Sequence, residues 1–149
     1  MYMTKILTTK SKEETMELGR QLAVLLPPGS TITLTGDLGA GKTTLVRGVA
    51  EGLNIKEVVQ SPTFNIMKIY YKYAKPLIHI DAYRLADIDT DIGLDEYIGY
   101  ETGITMIEWP MYIEKLIPDD AIQVEILNMG GDNRKITIDA PEKVLEAIK

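Results

Sequence analysis

Apolar positions recur along this chain in two rhythms, one of helices and one of strands. Leu18, Leu22, Leu25 and Leu26 fall on one helical face. Ser11 stands before that face with Glu14 three residues on, the spacing of a capping box, and Pro27-Pro28-Gly29 ends the helix. Thr31-Ile32-Thr33-Leu34-Thr35 alternates and is β-branched, so it predicts a strand. A second helix is predicted over 42–53, where Leu45, Val49 and Leu53 recur at four-residue spacing. Strands are predicted over 64–71 and 77–81, joined by a turn at Ala74-Lys75-Pro76 short enough for an antiparallel pair. Another follows over 103–108, then a short helix stopped near Pro118. Segments 121–127 and 134–139 flank Gly130-Gly131-Asp132-Asn133, a hairpin signal. A possible edge strand over 3–8 and a short helix over 94–100 complete the body, and Pro141 suits the first turn of a last helix to Ile148. The sum is one α/β domain over 1–149. A mixed central sheet, with a parallel core and antiparallel hairpins, is flanked by helices.

Composition narrows the chemistry. The chain has no cysteine and one histidine, which removes thiol nucleophiles, Cys-based metal sites and two-His motifs. Its net charge of −6 argues against unaided tight binding to nucleic acid. The longest clean apolar run, Leu22 to Leu26, is far short of the roughly 20 residues a membrane-spanning helix needs. No signal-peptide layout opens the chain. A soluble, cytoplasmic protein is the expectation.

The chemistry concentrates in Gly36-Asp37-Leu38-Gly39-Ala40-Gly41-Lys42-Thr43, which matches G-x-x-x-x-G-K-[ST] and lies between a predicted strand and a predicted helix. In such a P-loop the glycines let successive N–H groups face an anion, and the helix points its positive end at the phosphates. Lys42 would reach the β- and γ-phosphates, and the Thr43 hydroxyl would reach Mg²⁺. A P-loop enzyme also needs an acid at the end of an apolar strand. Two are available, Asp81 after Leu77-Ile78-His79-Ile80 and Glu108 after Ile104-Thr105-Met106-Ile107. If both strands run parallel to 31–35, both acids point at the phosphates. One would then serve the metal and the other the attacking water.

Weaker signals surround these. Ser61-Pro62-Thr63-Phe64 lies where switch segments carry a hydroxyl to the γ-phosphate, though a plain turn has the same composition. Arg84, three residues after Asp81, suits transition-state charge or a partner, with a surface ion pair as the plainer alternative. Trp109, the only tryptophan, directly follows Glu108. His79 alternates with Ile78 and Ile80 and, as a lone histidine, reads as structural. Residues 86–101 carry six acids and no Lys or Arg, either a solvated face or a dock for a basic partner.

The ordered set GDLGAGKTT at 36–44, SPTF at 61–64, HIDAYR at 79–84 and IEWP at 107–110, in a chain of this length, closely resembles the TsaE (YjeE-like) family of bacterial P-loop ATPases. The resemblance spans about residues 5–140. It implies ATP and Mg²⁺ as ligands and weak intrinsic ATP hydrolysis. It also implies action with the TsaB–TsaD heterodimer, which places threonylcarbamoyl on the adenosine at tRNA position 37. Carried over by position, Asp37, Leu38, Gly39, Ala40, Gly41, Lys42, Thr43 and Thr44 would hold the nucleotide. Thr43 and Glu108 would serve Mg²⁺, Thr63 would be the switch threonine, and Asp81 the catalytic or water-positioning acid. Trp109 and Arg84 would be site-adjacent residues needed for turnover or partner response.

Three other classes compete. A small-metabolite P-loop kinase would clamp its second substrate with several basic groups, and the chain has only four arginines. A GTPase would carry N-K-x-D and D-x-x-G segments, and neither occurs. A non-catalytic nucleotide-sensing adaptor would differ from the ATPase only in turnover.

Overall fold

The computed structural model describes residues 1–37, 39–62, 65–86 and 93–149. Leu38, Thr63, Phe64 and the acidic stretch 87–92 lie outside the described residues. The strands are β1 (Tyr2–Thr9), β2 (Thr31–Thr35), β3 (Met67–Tyr70), β4 (Leu77–Asp81), β5 (Ile104–Glu108), β6 (Ile122–Asn128) and β7 (Arg134–Pro141). The helices are α1 (Lys12–Leu25), α2 (Lys42–Gly52) and α3 (Glu142–Ala147). Together the strands form one seven-stranded sheet in the order β1-β7-β6-β2-β5-β4-β3. The core β4-β5-β2-β6 is parallel, β3 and β7 join it antiparallel, and β1 pairs antiparallel with β7. This is the mixed sheet that the sequence predicts. Among the described residues no helix is long and apolar enough to cross a membrane.

Side-chain alternation divides the sheet into two faces. Ile32, Leu34, Met106, Val124, Ile126, Ile136 and Ile138 share the main core with Leu18 and Leu22 of α1 and Leu45 and Val49 of α2. On the other face Ile78, Ile80 and Ile107 are covered by 3-10 turns that bring Leu85, Leu94, Ile113 and Leu116 over them. The capping prediction at α1 holds, since Ser11 Oγ accepts from Glu14 N at 3.1 Å. The Glu14 carboxylate reaches past the cap and accepts from Lys10 N at 2.9 Å.

Three glycines set how closely α1 and α2 approach. A Cβ on Gly48 would stand 2.3 Å from Met16 O, and one on Gly19 would stand 2.6 Å from Leu45 O. A Cβ on Gly52 would meet that of Ala23 at 2.7 Å. Backbone has little freedom to yield inside a packed helix pair. Gly48→Ala is therefore expected to destabilise the protein by about 1–3 kcal/mol, although alanine is about 1 kcal/mol the better helix former. Thermal unfolding followed by circular dichroism checks this, and a raised midpoint would show that the helices part freely.

Three local expectations need correction. β3 starts at Met67 rather than at 64, because Ile66 takes φ 67° and Met67 N bonds to Asn65 O at 2.7 Å, turning the chain just before the ladder. The helix expected over 94–100 is a single 3-10 turn, Leu94–Glu96, bounded by left-handed Gly93 (φ 83°) and Gly99 (φ 79°). Pro141 ends β7 and precedes α3 rather than sitting in its first turn.

Candidate functional site

Sheet order brings the predicted chemistry together. β2 feeds the glycine loop and α2, while β5 inserts between β2 and β4. Parallel pairing places Glu108 opposite Leu34 on one side and opposite Asp81 on the other. Both acids therefore stand at the carboxyl end of the parallel strands, where ligands bind in open α/β sheets. There a cleft of about 270 Å³ is lined by Gly39, Gly41, Lys42, Thr43 and Thr44 of the loop and helix start. Asp81, Glu108, Trp109 and Ser61 complete its inner wall.

The loop has its shape because two positions demand glycine. Gly36 has φ 146°, and a Cβ there would lie 2.4 Å from Ile126 O. Gly41 caps α2 with φ 108°. From Lys42 onward the first helical N–H groups have no partner inside the helix, and Leu45 N is the first to bond, to Gly41 O at 3.0 Å. Unpaired N–H groups at a positive helix end form an anion cradle.

Lys42 is buried, its Nζ donating to Gly36 O at 2.7 Å and lying 4.0 Å from the centre of the Trp109 ring. Burial lowers its pKa below that of an ordinary lysine, and the charges of Glu108, Asp81 and Asp37 work against that shift. Asp81 and Glu108 are also buried, each 4% exposed. Asp81 Oδ1 accepts from Tyr83 N at 3.0 Å, and Oδ2 faces Ser61 Oγ at 3.5 Å. Glu108 Oε2 lies 2.6 Å from Nε2 of the fully buried His79.

Trp109 departs from ordinary backbone geometry, at φ 57° and ψ 51° with Pro110 following. Non-glycine residues in that region are strained and cluster at functional sites. Here the ring is held by Tyr83 at 5.1 Å, edge to face, and by Tyr112 at 6.3 Å, stacked.

Other predicted residues stand further off. Asp37 is exposed and acts on Lys42 through its charge. Ala40 is buried and contributes its carbonyl to Arg134. Arg84 is exposed on the turn after β4 and does not line the cleft. Leu38 and Thr63 lie outside the described residues.

The cleft also has an outer wall that the motifs do not announce, made of Lys12 and Thr15 from α1 and Asp132 and Arg134 from the β6–β7 hairpin. Arg134 joins hairpin to loop, with Nε donating to Ala40 O at 2.6 Å and Nη1 to Gly131 O at 2.7 Å. Arg134 follows the Gly-Gly hairpin signal in the sequence, but nothing local says that the hairpin returns to the glycine loop.

Residues 9–136 match the model of the family described as threonylcarbamoyl adenosine biosynthesis protein TsaE. The chain belongs to the TsaE family. Among TsaE relatives, a tRNA threonylcarbamoyladenosine biosynthesis protein of Bacillus subtilis is 45% identical over 132 residues, covering 89% of this chain and 83% of that protein. An Aquifex aeolicus protein of the same description is 39% identical over 141 residues, covering 93% and 98%. The crystal structure of Bacillus subtilis YdiB superposes with a TM-score of 0.83 at 36% identity, covering 99% of this chain and 95% of that one. The TsaE family works in tRNA threonylcarbamoyladenosine biosynthesis, and the resemblance drawn from the motifs agrees with the match over the whole domain.

Proposed function

We propose that this TsaE-family protein binds ATP with Mg²⁺ and hydrolyses it slowly alone and faster with the TsaB–TsaD pair, in support of threonylcarbamoyl transfer to adenosine 37 of tRNA. The observation that carries the reading is the convergence of the anion cradle, Lys42 and two buried strand-end carboxylates on one cleft.

The donor set suits a divalent cation. Two buried carboxyl groups, Asp81 and Glu108, and the buried Lys42 stand beside a loop shaped for phosphates. Carboxyl groups and phosphates gathered on one cleft suit a cation standing between them. Among the described residues no group of three or more His, Asp or Glu side chains gathers into a metal cage. Mg²⁺ needs none, because it is held by one or two protein groups, waters and substrate phosphates. Thr43 and Glu108 would hold it, and when bound it supplies charge neutralisation on the β- and γ-phosphates.

The other residues then have separable tasks. The loop amides and Lys42 fix the phosphates and stabilise charge that grows on them as the γ-phosphoryl leaves. Asp81 accepts a hydrogen bond from the attacking water and so aims it. Trp109 covers Lys42 and limits its contact with bulk water. Thr63 is the switch threonine, and Arg84, which does not line the cleft, serves turnover or partner response. The acidic segment after β4 is a dock for a basic surface of the partner.

Mg²⁺-dependent hydrolysis, measured alone and with purified TsaB–TsaD, tests the reading. The expected result is stimulation by the pair that disappears in Lys42→Ala. Tight ATP binding without stimulation would overturn the partner assignment, and a phosphorylated product in a metabolite screen would favour a kinase.

A further inference from the structure

Behind the cleft, Glu108 makes a buried contact that the proposed chemistry does not use. His79 is 0% exposed in the middle of β4, two residues before Asp81 and on the same strand face. Its register partner on β5 is Met106, and its ring reaches along the sheet to the strand end, where Nε2 meets Glu108 Oε2 at 2.6 Å. Nδ1 of the same ring is buried and has no hydrogen-bond partner among the described residues. A buried polar atom left over in an otherwise satisfied strand calls for a reason.

We propose that His79 is a positioning residue for Glu108. The inference rests on the reading of Glu108 as the carboxylate that serves the cation. An ionised carboxylate only accepts, so the hydrogen in this contact belongs to Nε2. A second hydrogen on Nδ1 would be a buried donor without an acceptor, whereas a bare lone pair there is the cheaper vacancy. The ring is thereby fixed with its hydrogen on Nε2. Glu108 lines the cleft, and with Oε2 occupied, Oε1 is the oxygen left to face it. Carboxylates that ligate metals are themselves commonly held by such outer partners.

The structure also shows what the contact prevents. Lys42 also attracts Glu108, since the two act on one another electrostatically without a direct ion pair within 4.0 Å among the described residues. Among the described residues His79 is the hydrogen-bond partner that holds the Glu108 carboxylate. A carboxylate turned toward that ammonium is withdrawn from the cation, while Lys42 keeps its own anchor on Gly36 O at 2.7 Å. Both ends of the His79–Glu108 contact lie on central parallel strands, so the sheet, rather than a loop, fixes the orientation.

The protein has one histidine, so its ring nitrogens give a single, unambiguous set of NMR signals. In the unmodified protein, a two-dimensional ¹H–¹⁵N experiment is expected to find the hydrogen on Nε2 and a bare Nδ1. A hydrogen on Nδ1 instead would overturn the proposal without any variant being made. For function, His79→Leu removes the donor at similar volume, while His79→Gln returns an N–H near the Nε2 position. His79→Leu should lower kcat for ATP by about 10–100-fold, with a smaller change in KM. By calorimetry it should also lose the gain in ADP affinity that Mg²⁺ gives, while keeping Mg²⁺-free affinity within about 2-fold, and His79→Gln should recover most of both. A Mg²⁺ gain like that of the unmodified protein in His79→Leu would overturn positioning. Glu108→Gln separates the two failures. If it keeps the Mg²⁺ gain and turnover, the role of Glu108 falls. If it loses them and His79→Leu does not, only the role of His79 falls.

Discussion

Lys42→Ala is expected to reduce ATP affinity and turnover together by at least about 100-fold, the scale of losing a preorganised donor to transition-state charge. Lys42 lines the cleft with Asp81 and Glu108 and feels the charges of both. It stands at the start of α2, where the phosphates would meet the unpaired N–H groups. Truncation removes that charge and also frees Gly36 O, which Nζ holds at 2.7 Å. Titration calorimetry with ATP and a steady-state phosphate assay check the prediction, with circular dichroism confirming the fold. Unchanged hydrolysis would place the phosphates elsewhere. pH gives a second test. Because burial lowers the Lys42 pKa, the folded protein gives up this proton at lower pH than the unfolded chain does. ATP binding should therefore weaken as pH rises through the lowered pKa. In the same window, below the ordinary lysine value, this group makes the nucleotide-free protein more stable with rising pH.

Asp81→Ala is expected to cut hydrolysis by about 100- to 10,000-fold, the range for a positioned group that handles the attacking water. ATP affinity should change only a few-fold, because Asp81 ends β4, whereas the anion cradle belongs to the glycine loop and the start of α2. The side chain is aimed from both oxygens, by Tyr83 N at 3.0 Å and Ser61 Oγ at 3.5 Å. Asp81→Asn keeps the shape and the Tyr83 contact but loses the charge, so it should be nearly as slow as alanine. Single-turnover kinetics with ATP in complex separates the loss of chemistry from any loss of binding. Proportionate loss of both would reassign Asp81 to nucleotide binding.

What could be read from the sequence was local, and what could not was set by neighbours. The glycine loop, its preceding strand and its helix are contiguous, so Lys42 and Thr43 were placed by motif and period alone. Asp81 and Glu108 were candidates because each ends an apolar strand, but their meeting depends on β5 lying between β2 and β4, and no residue announces that order. His79 read as a packing residue for the same reason, since its partner is 29 positions away on another strand. Lys12, Thr15 and Arg134 reach the cleft only through the docking of α1 on α2 and the return of the hairpin to the loop. The strand expected from 64 begins late because Ile66 takes a left-handed backbone that its β-branched side chain gives no reason to expect.

The packing of Lys42 against Trp109 has an optical consequence. The chain has one tryptophan, so all of its indole emission comes from a ring 4.0 Å from the Lys42 ammonium. A nearby positive charge perturbs an indole's excited state, and phosphates that draw the ammonium away would change colour and intensity together. The protein thus carries its own dye at the cleft proposed to take nucleotide. Each step that moves Lys42 can be timed by stopped-flow on the unlabelled chain.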